Sequence, residues 1–191
     1  MAKTIPVVLV VLRALCGPAL IACAALSVPA PVLSALMTLA FLSDVFDGII
    51  ARRLGVATAL LRLADSLVDT AFYICAAVAL AVRAPAVLEA HVIGLAALGS
   101  LEVSRWVIER LRYGRIASYH MWSAKLWGIA LFAAFFSLLA LGSDNWLVDG
   151  AIYLGIVVDL EGLAISTILP RWRSDVPSVV HALRLRGIER A

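Results

Sequence analysis

Long apolar stretches separated by short polar segments dominate the chain. A helix needs about 20 consecutive apolar residues to cross the hydrocarbon core of a bilayer. Stretches of that kind predict six membrane-spanning helices, at residues 5–26, 32–50, 60–82, 87–108, 119–141 and 146–169. The Pro-rich residues 27–31 and the polar residues 142–145 predict tight turns between spans. The pattern is typical of an all-α integral membrane protein, built as a six-transmembrane-helix bundle.

The segment after the sixth span predicts one more short helix. Asp175, Pro177 and Ser178 are typical of a helix start, and the residues that follow mix Val and Leu with Arg. Such a mixture favours a helix that lies at the cytoplasmic membrane interface. The spans leave no room for a separate soluble unit, so we expect residues 1–191 to form a single transmembrane domain.

Composition agrees with a membrane protein. Hydrophobic residues make up 63 % of the chain and charged residues 15 %, and the mean hydropathy is +1.01. A soluble domain is nearer half apolar and a quarter charged, so these values exclude a soluble enzyme. The three cysteines lie inside apolar runs without metal-ligand spacing, where they behave as small hydrophobic residues.

The basic residues are concentrated on one side of the predicted bundle. Arg83 falls on the other side, where Asp144 and Asp149 also lie. Because Lys and Arg accumulate in cytoplasmic loops, we expect both termini to be cytoplasmic, in a multi-pass protein of the inner (cytoplasmic) membrane. Topology thus explains the net charge of +3, and nucleic acid is not an expected partner. The cytoplasmic cations are Lys3, Arg13, Arg52, Arg53, Arg62, Arg110, Arg112, Arg115, Arg171, Arg173, Arg184, Arg186 and Arg190.

Four carboxylates lie toward the cytoplasmic ends of the second and third spans. Asp44 and Asp47 share one face of the second helix with small Gly48 and Ala51, because these positions are three or four residues apart. The two acids of the third helix, Asp65 and Asp69, are four residues apart and share a face as well. A short cytoplasmic hairpin joins the two helices, so we expect them to be neighbours with converging carboxylates.

Such a cluster needs a counter-charge. One unpaired Asp at the centre of a spanning helix costs about 2.5–3.5 kcal/mol, and the nearby arginines are expected to be too few to neutralise four. Two divalent cations would balance four carboxylates formally. Hard oxygen ligands suit Mg²⁺, Mn²⁺ or Ca²⁺, and Mg²⁺ commonly bridges carboxylates to substrate phosphates. The residues therefore predict a two-metal phosphoryl-transfer centre that opens to the cytoplasm.

The same residues carry a resemblance to the CDP-alcohol phosphatidyltransferase family. The family's motif is D-x2-D-G-x2-A-R-x8-G-x3-D-x3-D, and seven of its eight fixed positions match here over 26 residues. The matching positions are Asp44, Asp47, Gly48, Ala51, Arg52, Asp65 and Asp69. Leu61 stands where the motif has its second glycine, so its side chain is expected to reshape the nucleotide pocket of an outlying member.

The resemblance implies transfer of a phosphatidyl, or similarly substituted phosphate, group to a small alcohol with release of CMP, in phospholipid biosynthesis. A CDP-linked lipid, CDP-diacylglycerol first, is the implied donor. The four aspartates would hold two Mg²⁺ or Mn²⁺ ions, and Asp69 would also be the general base. Asp44, Gly48, Ala51 and Arg52 would bind the nucleotide.

Other charged and small residues of the spans have two interpretations each. Arg105 and Lys125 either hold a phosphate of the acceptor or contribute only to topology. Intramembrane charges usually pair with one another. Glu102, Arg105, Asp159 and Glu161 are therefore expected to form structural pairs with each other or with Arg13, and acceptor binding is the second interpretation. Gly94 and Gly99 predict close helix packing or a homodimer seam.

Two other functions are compatible with an acidic membrane cluster. A transporter for cations or small metabolites would use the aspartates as an ion site. Transporters usually place such sites near the middle of the membrane, between repeats with broken helices, whereas these acids lie near one edge. The other alternative is a catalytically weakened family member that acts as a partner subunit, which the substitution at Leu61 keeps open.

Overall fold

The computed structural model describes residues 4–56, 58–115, 119, 121–173 and 175–188, without the side chains at 59, 60, 62, 63 and 188. The helices are α1 (Ile5–Ala25), α2 (Ala30–Arg53), α3 (Ala59–Arg83), α4 (Pro85–Ala90), α5 (Val92–Tyr113), α6 (Trp122–Ala140), α7 (Trp146–Ile168) and α8 (Val179–Ile188). No strand occurs in the described ranges, which confirms the all-α prediction. Lys3, Arg190 and the side chain of Arg62 lie outside the described residues.

Five helices are long and apolar enough to cross a membrane: α1, α2, the Ala64–Arg83 part of α3, α6 and α7. The predicted fourth span corresponds to α5, which has 22 residues but is not among these five. Glu102, Arg105 and Glu109 give α5 its polar character. Five of the predicted spans are thus supported by length and composition, and a sixth span at α5 stays a prediction. Helix α8 begins at Val179, directly after the predicted start signals.

The helix boundaries follow local signals in the sequence. Pro29 precedes α2, and the Thr58 side chain accepts a hydrogen bond from the backbone N–H of Leu61 at the start of α3. Asn145 caps α7 in the same way. Both predicted turns are present, and Gly142 has a φ of 61°, in the left-handed region that glycine adopts without steric penalty.

The described chain divides into two compact units. The first contains Met1–Leu88 and Phe135–Asp144, and the second contains Glu89–Ala134 and Asn145–Ala191. The expectation of a single domain over residues 1–191 stays a prediction.

In the first unit, α1 packs against both α2 and α3. Its buried positions recur every three or four residues and form one stripe: Pro6, Val10, Arg13, Cys16, Gly17, Leu20 and Ala24. A Cβ at Gly17 would lie 3.1 Å from the Cys75 Sγ, so the glycine lets α1 approach α3 closely. Arg13 lies one turn before Gly17 on the same face, so the stripe that packs on α3 also carries a cation.

In the second unit, α5 packs on α7 across small residues. A Cβ at Gly94 would lie 2.9 Å from the Ile152 Cγ2, which confirms close packing at Gly94. Gly99 has nothing within 4 Å, and a dimer seam stays a prediction there. On α7, a Cβ at Gly155 would lie 2.8 Å from both Leu98 and Trp127. Gly94 and Gly155 therefore set the distance between these helices.

Candidate metal centre

One face of α2 presents acidic and small side chains. Ser43, Asp47 and Ala51 are buried at intervals of four residues, and Asp44 lies at the edge of the same face. The side chain of Asp47 is 4 % exposed, whereas that of Asp44 is 44 % exposed. Asp47 therefore lies inside the first unit, whereas Asp44 is partly accessible from outside it.

The third helix contributes two further acids. The side chains of Asp65 and Asp69 are 32 % and 36 % exposed. They lie one turn apart on α3, and half-buried Leu61 lies one turn before Asp65. The α3 acids are thus more open than Asp47.

Arg13 of α1 contacts all four aspartates. Its side chain is 2 % exposed. Nη1 lies 2.9 Å from the Asp44 Oδ1, and Nη2 lies 2.8 Å from the Asp65 Oδ1. Nη2 also contacts Asp47, and Nη1 contacts Asp69. A single buried guanidinium therefore joins the acids of two helices.

One arginine reaches all four acids because α1 packs on both acidic helices. Its single positive charge is smaller than the charge of four carboxylates, which agrees with the expectation that the nearby arginines are too few to neutralise them. The helix packing, by contrast, differs from the expectation. The helices α2 and α3 were expected to pack as neighbours. Among the described residues their mutual packing is slight, and α1 makes the extensive contact with each. The carboxylates of the two helices thus meet around a cation that α1 supplies.

Three of the acids also have a geometry suited to a cation. Carboxylate oxygens of Asp44, Asp47 and Asp65 all lie within 4.8 Å of one another. Carboxylates are the hard oxygen ligands that Mg²⁺ and Mn²⁺ take. Asp69 is not part of this trio, and its link to the cluster in the described residues runs through Arg13. The donor set fits a divalent cation, and ligation by Asp69 stays a prediction.

The residues predicted to bind nucleotide continue the same face of α2. Ala51 is buried, and Gly48 is partly buried. A Cβ at Gly48 would lie 3.2 Å from the Arg52 Nη1, so the exposed arginine side chain folds back over the glycine. This places a cation over the small residue on the helix turn that follows Asp47.

The remaining predicted site residues, Arg105 and Lys125, belong to the second unit. The Arg105 Nη2 donates to the Glu102 Oε1 at 2.6 Å, and its Nε lies 3.2 Å from the Asp159 Oδ1. Exposed Lys125 has its Nζ 5.6 Å from the centre of the Trp122 ring. The structural pairing expected for Glu102, Arg105 and Asp159 is confirmed.

Sequence reasoning missed a polar network in the second unit. Buried Ser166 donates to the Glu109 Oε1 at 3.1 Å, and the Tyr119 hydroxyl lies 2.8 Å from the Ser166 Oγ. Separately, the Ser123 hydroxyl donates to Glu161, which also accepts from the Val179 N–H at 3.3 Å. Glu161 therefore joins α6, α7 and α8. The sequence did carry a signal for these contacts. Glu109 of α5 and Glu161 of α7 are acidic residues in mainly apolar helices, and such residues usually have a partner.

Comparison with known proteins places these observations in a family. A family model described as CDP-alcohol phosphatidyltransferase matches residues 3–160. That range contains all four aspartates and Arg13. No curated protein and no solved structure matches the chain.

Proposed function

The chain belongs to the CDP-alcohol phosphatidyltransferase family, and from that premise we propose that it transfers a phosphatidyl group from CDP-diacylglycerol to the hydroxyl of a small alcohol. The observation that carries the proposal is the convergence of Asp44, Asp47 and Asp65 within 4.8 Å. The donor's lipid chains are compatible with a protein whose helices cross the bilayer, because a lipid can enter sideways between spans. CMP is the product that leaves.

The proposed metal ligands are Asp44, Asp47 and Asp65, with Asp69 sharing one of two Mg²⁺ or Mn²⁺ ions. When bound, such ions neutralise diphosphate charge and stabilise the leaving phosphate. Support comes from the donor set, which is all carboxylate and is partly open. The four aspartates together carry a formal charge of −4, which exceeds the single positive charge of Arg13 by three and leaves a demand for further cations.

In the proposed reaction, the acceptor oxygen forms a bond to the phosphorus that bears the diacylglycerol. The bond from that phosphorus to the CMP oxygen breaks, and CMP leaves with the electron pair. Asp69 takes the proton of the acceptor hydroxyl. Its side chain is 36 % exposed, so an incoming alcohol can reach it, in contrast to buried Asp47. Proton transfer by a positioned carboxylate contributes about 100- to 10,000-fold to such rates.

For the nucleotide, we assign Asp44, Gly48, Ala51 and Arg52. Gly48 and Ala51 have little or no side chain, and the guanidinium of Arg52 lies beside the Gly48 backbone. An Arg in this position can donate two parallel hydrogen bonds to a phosphate. For the acceptor, Lys125 remains the stronger candidate, because the guanidinium of Arg105 is engaged with two carboxylates.

We further propose that the site and both termini face the cytoplasm of a cell bounded by an inner membrane. The concentration of Arg at the ends of α2 and α5 supports this orientation. A soluble alcohol and CMP would then exchange with the cytoplasm, while the lipid substrate and product stay in the bilayer.

The proposal is tested with purified protein in lipid nanodiscs. We expect CMP release from CDP-diacylglycerol when Mg²⁺ or Mn²⁺ and the correct alcohol are present, and none when EDTA is added. The panel contains glycerol 3-phosphate, inositol phosphate, uncharged polyols and amino alcohols, and free CMP is measured by chromatography. Metal binding without CMP release from any alcohol would favour a transporter or a non-catalytic subunit and would contradict the proposal.

The departure from the family motif gives a prediction about donor affinity. Leu61→Gly is expected to lower the KM for the CDP-linked donor about tenfold, because removal of several methylene groups opens space on the stripe that carries Asp65 and Asp69. The measurement is CMP release against donor concentration. Glycine also weakens the helix, by up to about 1 kcal/mol.

Leu67→Gly is the matched control for that cost, since Leu67 lies on α3 and is 61 % exposed. It should weaken the helix similarly and leave the KM unchanged. An unchanged or higher KM in Leu61→Gly would show that the leucine does not restrict the donor.

A further inference from the structure

The guanidinium of Arg13 lies where the charge of the acidic cluster is concentrated. It is almost completely buried, and its two terminal nitrogens contact four carboxylates. An arginine cannot lose its proton in a protein, so this cation is permanent. Its buried Nε has no hydrogen-bond partner among the described residues. The ion pairs of the side chain are therefore made by its terminal nitrogens.

Arg13 uses the same carboxylates that would bind a divalent cation. Asp44, Asp47 and Asp65 form the trio of converging oxygens, and each of them contacts the guanidinium. A carboxylate oxygen that accepts a short N–H bond has fewer lone pairs to offer a metal. Two cations close together also repel each other, most strongly in a buried site where the effective dielectric constant is low. A bound metal ion and the guanidinium therefore compete for the same carboxylate oxygens.

We propose that Arg13 is a built-in counter-cation that competes with divalent ions for the aspartate cluster. Without metal, Arg13 holds the acids of α2 and α3 together and reduces their repulsion. When a divalent ion enters, the guanidinium gives up part of its contact with the trio. Arg13 is thus a positioning residue that sets metal affinity, and this inference rests on the metal site proposed above.

The competition predicts opposite effects on metal-free stability and on metal affinity. Arg13→Gln removes the charge and leaves four acids facing one another, so the metal-free protein should unfold at a lower temperature. The same change frees oxygens and removes a repelling cation, so Mn²⁺ should bind at least about tenfold more tightly. A merely structural arginine would not produce the second effect, because loss of structure weakens a metal site.

The experiment uses the full chain in nanodiscs without donor or acceptor. Mn²⁺ binding is measured by the loss of the free-ion signal in electron paramagnetic resonance, and thermal unfolding is followed with and without saturating Mn²⁺. For Arg13→Gln we expect the tighter binding, a lower Tm without metal, and a Tm that saturating Mn²⁺ raises more than in the unaltered protein. Arg83→Gln is the matched control, because it removes the same charge from exposed Arg83 at the end of α3.

Arg13→Lys keeps the test informative if Arg13→Gln does not fold. Lysine retains the charge but not the planar guanidinium. The Mn²⁺ affinity of Arg13→Lys should therefore lie between those of the unaltered protein and Arg13→Gln, and its metal-free Tm should be higher than that of Arg13→Gln. Equal or weaker Mn²⁺ binding in both Arg13 variants, with normal binding in the unaltered protein, would overturn the competition alone. If no variant and not even the unaltered protein binds Mn²⁺ at millimolar concentration, the proposed metal site itself is wrong and the competition falls with it.

Discussion

Asp69→Asn is expected to reduce CMP release by about 100- to 10,000-fold, the contribution of a positioned general base. The amide keeps the size of the side chain but cannot accept the proton of the acceptor hydroxyl. The position is well suited to this test, because Asp69 is one-third exposed and lies outside the trio of converging oxygens. The measurement is the initial rate of CMP release at saturating donor, acceptor and Mn²⁺.

Two further readouts separate the base from a metal ligand. Because Asp69 shares only one of the two proposed ions and lies outside the trio, Asp69→Asn should weaken Mn²⁺ binding less than Asp47→Asn does, and extra Mn²⁺ should not restore the rate. Asp144→Asn is the control, since Asp144 is an exposed residue of the same unit. A variant of Asp69 that keeps a tenth or more of the activity would rule out its role as the base.

The parts of the site that could be predicted are those fixed by local periodicity. Asp44 and Asp47 fall on one face of α2, and Asp65 and Asp69 on one face of α3, because helical spacing depends only on positions a few residues apart. The family motif suggested a common function for them. The positions of these four acids, and of Gly48 and Ala51 beside them, could therefore be predicted from the sequence.

The contacts of Arg13 were not predictable in the same way. The residue is 31 positions from Asp44 and 52 from Asp65, so their meeting depends on which helices pack together. A sequence pattern does not give the order of helices in a bundle. A short hairpin between α2 and α3 favours them as neighbours, but the close approach at Gly17 brings α1 against α3.

A similar reason explains the outcome in α5 and α7. Intramembrane charges predicted pairing in general, and Arg105 does pair with Glu102 and Asp159. The pairing within α5 follows from a spacing of three residues, whereas the contact with Asp159 needs α7 beside it. Gly155 permits that packing, and its importance is visible only when the side chains it faces are known.

Asp47→Asn tests the metal site at its most buried ligand, and we expect at least about a 100-fold loss of CMP release. Replacing a residue that merely orients a metal ligand typically costs about 10- to 100-fold in affinity or activity, so the loss of a ligand should cost at least as much. Mn²⁺ binding should weaken in parallel, and higher Mn²⁺ concentrations should recover part of the rate. This recovery distinguishes the two acids, because extra Mn²⁺ cannot replace the proton acceptor that Asp69→Asn lacks.

The effect of Asp47→Asn on the metal-free Tm should depend on whether Arg13 is present. In the unaltered protein, the substitution removes one partner of a buried guanidinium, and breaking such a pair costs up to about 3–5 kcal/mol. The metal-free Tm should therefore fall. In Arg13→Gln, the same substitution removes one of four mutually repelling acids, so the metal-free Tm should rise. The double-variant cycle measures this change of sign directly. If Asp47→Asn lowers the Tm equally in both backgrounds, the acids are not held by Arg13, and the electrostatic account of the cluster is wrong.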